Sequence, residues 1–318
     1  MKNYKFFLFL LAGICLYGCV SKIDIPDDED SVLHITLEML KSDTVFIAEL
    51  KTSNNLNGTF PITVPNSAKV IIEEDLGEAD ANLTVEMVYD ADTDTYRGVN
   101  AQDILKTGTR YTLTAEVPNS NLQPISAETI VPYAIDIMEH ELLSQYKVED
   151  NSGNIYWQNE IGLKFSPNAR KNSRYAHLIL EGYQDTEMLN SNGEVVVVAV
   201  GEPRTFELSN VIVGTAAVTD IIHRDGFFIN FDDLEDDYIE IAIRSNHPIT
   251  DPSHVSRNLY YKLMAISPEH YSHHIQYHRI IESEGLVFND KPLYSSNIKN
   301  GFGLFSSCVR KKSMLILK

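Results

Sequence analysis

Beyond residue 31 the apolar positions recur mostly with a period of two. Leu83, Val85 and Met87 alternate in one run, Tyr111, Leu113, Ala115 and Val117 in another, and Val70-Ile71-Ile72 sits between turn residues. Such alternation sends successive side chains to opposite faces of a strand, so it predicts short antiparallel strands. The stretch "VYDADTDTYRG" reads as a hairpin whose turn carries Asp90, Asp92 and Asp94. Strands continue to "AETIVPYAIDI", where Pro132 lacks the N–H that a sheet ladder needs and marks passage to a second domain. Residues 32–132 are thus expected to form a small, immunoglobulin-like antiparallel β-sandwich.

Residues 133–318 are expected to form a larger antiparallel β domain with one helix near the C-terminus. Its strand candidates are "IYWQNEIGLKF", "RYAHLILEGY", "EVVVVAVG", "TFELSNVIV", "FFINF", "YIEIAIRS" and "LYYKLMAIS". The unbroken run Val195 to Val200 implies burial on both faces. Only "PEHYSHHIQYHRIIES" reads as a helix, with Pro268 suited to the first turn and Tyr271 and Tyr277 expected to pack it on the sheet.

The first 31 residues follow another pattern. Lys2 and Lys5 precede an almost wholly apolar run from Phe6 to Tyr17, the layout of a secretory signal peptide. Spanning a bilayer takes roughly 20 such residues, and this run is too short. Leu16-Tyr17-Gly18-Cys19 resembles a bacterial lipoprotein signal, with a branched apolar residue three places before the cysteine and a small one just before it. That resemblance divides the region into a leader, 1–18, and a mature chain beginning at Cys19. The sulfur of Cys19 would carry palmitate-type acyl chains, each buried CH₂ contributing about 0.8 kcal/mol of membrane affinity. A plain signal peptide or an uncleaved N-terminal anchor is the alternative. Residues 19–31, with Pro26 followed by Asp27, Asp28, Glu29 and Asp30, are too polar to bury a core and read as an acidic tether.

Charge narrows the partners. The chain holds 26 basic and 45 acidic residues, a net charge of −19, which repels phosphate backbones and argues against nucleic acid as a partner. Of its three cysteines only Cys308 lies beyond Cys19, so the mature chain is expected to rely on an apolar core rather than on internal disulfides.

Candidate chemistry is sparse. His270, His274 and His278 fall at i, i+4 and i+8 on one helix face, with His273 beside them, and imidazoles so spaced can chelate Zn²⁺. No HExxH glutamate accompanies them. A face that gains charge in mild acid is the competing reading. The turn at Asp90, Asp92 and Asp94 has Thr95 and Ala101 where a calcium loop needs Gly and Glu, so it reads as solvated. "FDDLEDDYIEI" has oxygen ligands for Ca²⁺ but reads as a loop between strands. GxSxG, P-loop and GxGxxG patterns are all missing from the sequence, so neither an enzyme activity nor a cofactor is expected.

Two segments carry a family resemblance. "SAKVIIEED", "TYRG", "GTRYTLTAEVP" and "ISAETIVP" resemble the N-terminal half, and "LMAISPEHYSHHIQY" with "PLYSSNIKNGFGLFSS" the closing pattern, of a Bacteroidota lipoprotein family, domain of unknown function 4249. Within that ending, Gly301 and Gly303 flank Phe302 and allow a bulge with positive φ, from which Leu304 and Phe305 can enter the sheet as a structural clasp. The tail "VRKKSMLILK" departs from the family pattern and is expected to add an edge strand. The resemblance implies an outer-membrane lipoprotein, anchored through Cys19 and associated with a TonB-dependent transporter in nutrient uptake. A surface adhesin or structural envelope protein is the alternative, and a carboxylate-dependent hydrolase a third reading.

Overall fold

The computed structural model describes residues 32–53, 64–75, 84–99, 105–149, 152–153, 155–167, 169–189, 195–205, 208–213, 216–217, 222–223, 226–234, 236–245, 259–283 and 295–315. The leader, the tether and Cys19 lie outside them. The protein is mostly β. Its strands in chain order are β1 (Val32–Leu40), β2 (Val45–Ser53), β3 (Lys69–Asp75), β4 (Thr84–Asp90), β5 (Thr95–Val99), β6 (Arg110–Glu116) and β7 (Ile125–Ile130). There follow β8 (Ile137–Glu149), β9 (Ile155–Phe165), β10 (Tyr175–Leu189), β11 (Val195–Thr205), β12 (Leu208–Val213), β13 (Ala216–Ala217) and β14 (Ile222–His223). Last come β15 (Gly226–Asn230), β16 (Tyr238–Ser245), β17 (Leu259–Ile266) and β18 (Gly301–Leu315). A one-turn helix α1 (Ala169–Asn172) and a longer one, α2 (Pro268–Ser283), accompany them.

Alternation sets the first core. In β1, Leu33, Ile35, Leu37 and Met39 are fully buried while His34 and Glu38 point outward, so the period of two separates an apolar face from a polar one. The hairpin between β4 and β5 closes with Asp90 opposite Thr95, and the Tyr89 hydroxyl donates to Asp94, which holds φ +53°. Strand order runs β1-β2-β5-β4-β3-β6-β7.

The second core draws on two sheets. One continues as β14-β15-β10-β17-β18, and the other has the order β13-β12-β16-β9-β8. Ile161, Leu163, Ile239 and Ile241 from the latter meet Leu178, Leu180, Phe227 and Leu263 from the former in one apolar cluster. Burial at β11 lies outside the described residues, so the Val195–Val200 run is placed as a strand only.

Strand β18 belongs to both cores. Residues 301–308 run parallel to β1, with Leu33 opposite Gly301 and Leu40 opposite Cys308. Residues 308–315 run antiparallel to β17, with Ile266 opposite Cys308 and Leu259 opposite Leu315. Every other pairing among the described strands is antiparallel. Phe305 and Ile298 fill the first core, Leu315 the second, and Val309 packs against each.

The sequence around β18 explains how it is held. Asn297 accepts from the Phe305 N–H at 3.0 Å and donates to the Phe305 carbonyl at 2.7 Å, pairing with the backbone as a neighbouring strand would. Lys299 and Ser126 exchange two backbone hydrogen bonds, which brings the same segment against β7. The clasp expected of this ending is therefore present, and Gly303 takes the positive φ, +122°. From Val309 onward the tail continues β18 along β17 and so lengthens a strand inside the sheet, between β17 and β1, instead of adding an edge strand.

Candidate functional site

Helix α2 starts at Pro268 as its sequence predicts, and Ser267 caps it. The Ser267 hydroxyl lies 3.5 Å from the His270 N–H and 3.4 Å from the Ser307 N–H, tying the helix start to β18. One face of α2 then covers the place where β1, β10, β17 and β18 come together. Tyr271 stacks on Tyr175 of β10 at 4.2 Å, as expected, and Ile275 packs near Phe228, Ile266 and Cys308. Tyr277 does not follow that expectation. It keeps 41% of its surface, because six residues at about 100° each turn it away from Tyr271.

Under the helix, polar groups collect. His34 and Glu38 rise from the outer face of β1, His177 comes from β10, and His270, His273 and His274 descend from α2. The rings of His270 and His274 stack with centroids 4.4 Å apart, as a spacing of four residues allows. Phe228 of β15 stacks on His177 at 4.2 Å and on His274 at 5.5 Å, an apolar wall for the group. His273 Nδ1 lies 3.2 Å from the Ser295 carbonyl.

Glu38 joins this set from the other end of the chain. Its Oε2 is 3.3 Å from His270 Nδ1, and its Oε1 accepts from the Cys308 thiol at 3.6 Å. One atom each from Glu38, His270 and His274 lie within 4.8 Å of one another, a donor set suited to a metal ion. His270 and His274 thus fall together as their spacing predicts, and the side chain of His278 lies outside the described residues. The carboxylate was not legible in the sequence, since Glu38 looks like any outward polar position of an alternating strand.

Burial disfavours charge on the central members of this group. Burial, followed by the neighbouring imidazoles of His274, His177 and His273, holds His270 well below the ordinary histidine value of 6.5. Burial also raises the Glu38 carboxyl, with Asp43 adding to the effect and the Cys308 hydrogen bond opposing it. Both shifts disfavour the charged forms at the 3.3 Å contact between Glu38 and His270. Burial and then Glu38 push the Cys308 thiol up, so it is a poor nucleophile.

Basic side chains reach both acidic segments. Asp232 pairs with Arg174, and Asp237 lies 3.9 Å from Arg170, whose guanidinium also donates to the carbonyls of Phe231 and Leu234. In the β4–β5 turn Asp90 accepts from the Asp92 N–H and pairs with Arg97. Elsewhere, a surface cleft of about 390 Å³ opens beside Val32, Leu33, Asn121, Gln123, Gly301 and Phe302. No helix among the described residues is long and apolar enough to cross a membrane.

Two β cores joined by one C-terminal strand, with a histidine-rich seam under a single capping helix, define a class of mostly antiparallel β-protein. The chain belongs to the family described as Domain of unknown function (DUF4249), whose model matches residues 22–313. No curated protein matches it.

Proposed function

We propose that the protein is a lipid-anchored accessory protein of the outer membrane, held at Cys19 and serving a TonB-dependent transporter in nutrient uptake. The observation that carries this reading is Leu16-Tyr17-Gly18-Cys19 behind a basic, apolar leader. The polar stretch 20–31 then separates the anchor from β1, and fully extended it reaches at most about 40 Å. That reach keeps the β cores beside the membrane while leaving them free to turn toward a partner. A net charge of −19 favours solubility there over adhesion to anionic headgroups.

Two surfaces suit the role. Strand β8 pairs along one flank with β9, is an edge in the described strand order, and exposes Met138 and Tyr146 over its 13 residues. Long edges of this kind offer main-chain donors and acceptors to an added strand. The cleft beside Val32 and Phe302 lies where the tether enters the fold, and its 390 Å³ is within the range of small-ligand sites. The test is a pull-down of the tagged protein from detergent-solubilised outer membranes. Co-purification of a transporter barrel is expected, and recovery of the protein alone contradicts the reading.

A further inference from the structure

We propose that Glu38, His270 and His274 form a binding site for a divalent first-row transition metal, with Zn²⁺ as the natural probe. Their donor atoms already lie within 4.8 Å of one another. Around a tetrahedral Zn²⁺ with bonds of about 2.0–2.1 Å, ligand atoms stand about 3.4 Å apart. Closing the set shortens the donor separations by up to about 1.4 Å. Two imidazoles and one carboxylate favour Zn²⁺ over Mg²⁺ or Ca²⁺, which prefer all-oxygen shells.

The surroundings fit such an ion. His270 is 3% exposed and stacked on His274, so packing holds both rings in place. Phe228 closes the side of the site next to His274, and Glu38 brings a carboxylate oxygen to 3.3 Å from His270 Nδ1. Glu38 keeps 42% of its side-chain surface, which leaves a path for the ion and room for a water as fourth ligand.

The site has a mechanical consequence. Glu38 stands on the first strand of the first core, whereas His270 and His274 stand on the helix that follows β17 of the second. An ion between them clamps α2 onto β1 and reinforces the junction that β18 makes through the backbone. This inference stands apart from the anchoring at Cys19 and survives its failure.

The experiment is titration of the full-length protein, purified in detergent, with Zn²⁺ by calorimetry and with Co²⁺ by visible absorption. Glu38→Gln and His274→Gln serve as ligand variants because both side chains reach the edge of the site and the amides preserve polarity. His140→Gln, on β8 of the other sheet, is the control, and metal-free melting checks that each variant folds. Expected are one site removed by neither Mg²⁺ nor Ca²⁺, affinity at least tenfold weaker in both ligand variants, and affinity unchanged in His140→Gln. Amide exchange in α2 should slow when Zn²⁺ is added. Absence of binding, full affinity in either folded ligand variant, or a loss confined to His140→Gln overturns the proposal.

Discussion

A Cβ on Gly303 would lie 1.8 Å from the carbonyl oxygen of Ile35, and Gly303 holds φ +122°. Strand β18 can therefore run parallel to β1 only with glycine at this position. Two independent penalties meet here, a backbone conformation closed to L side chains and a collision with main-chain atoms that cannot move aside.

Replacing Gly303 with alanine is expected to destabilise the protein by at least about 3 kcal/mol in urea denaturation, from strain plus displaced pairing. Gly153→Ala supplies the comparison. Gly153 also has positive φ, +82°, but its nearest neighbour is a flexible Glu149 oxygen at 3.9 Å. Its alanine variant should lose only about 1–2 kcal/mol.

Phe305 and Leu315 stand on the same strand yet fill different cores. Phe305→Ala should cost about 3–5 kcal/mol and Leu315→Ala about 2–5 kcal/mol. The distribution is the sharper test. Amide exchange should accelerate chiefly in β1 and β2 for Phe305→Ala and in β17 and β10 for Leu315→Ala. Identical exchange patterns in the two variants would mean that β18 does not divide its packing in this way.

Lys262 and Lys312 face each other across β17 and β18, a like-charge pair that should repel. Glu181 of β10 accepts from both, at 3.3 Å from Lys312. Burial alone would raise its carboxyl, but hydrogen bonds and charge from the two lysines outweigh burial and hold it below the ordinary 4.5. A depressed carboxylate adds stability above its unfolded value and loses it as pH falls through the folded one. Glu181→Gln should therefore be less stable than the parent by about 1–3 kcal/mol near neutrality. The gap should narrow as pH falls below the ordinary 4.5 and close once pH passes the lower folded value, and chemical denaturation at several pH values measures it.

Much of this architecture was legible in the sequence, and the reason is local. The alternation of Tyr111, Leu113 and Ala115, the aspartates of the β4–β5 turn and Pro268 at the head of α2 each act within a few residues. What escaped depends on partners far apart in the chain. Nothing near Leu33 announces that Gly301 lies beside it, and the parallel β1–β18 pairing follows from a glycine's fit against a distant carbonyl. The seam shows the same limit. Histidine spacing on α2 brought His270 and His274 forward, whereas Glu38 gained its meaning only when β1 was placed under the helix. Tyr277 was misread because an aromatic on a helix suggests packing until the sheet beneath fixes which face is covered.

The anchoring at Cys19 is tested most directly by intact-mass and N-terminal peptide mass spectrometry of the protein extracted from the membranes of its native host. The account predicts a mature chain that begins at Cys19 and carries acyl chains on that residue. An unacylated chain, or one cut at another position, would contradict it.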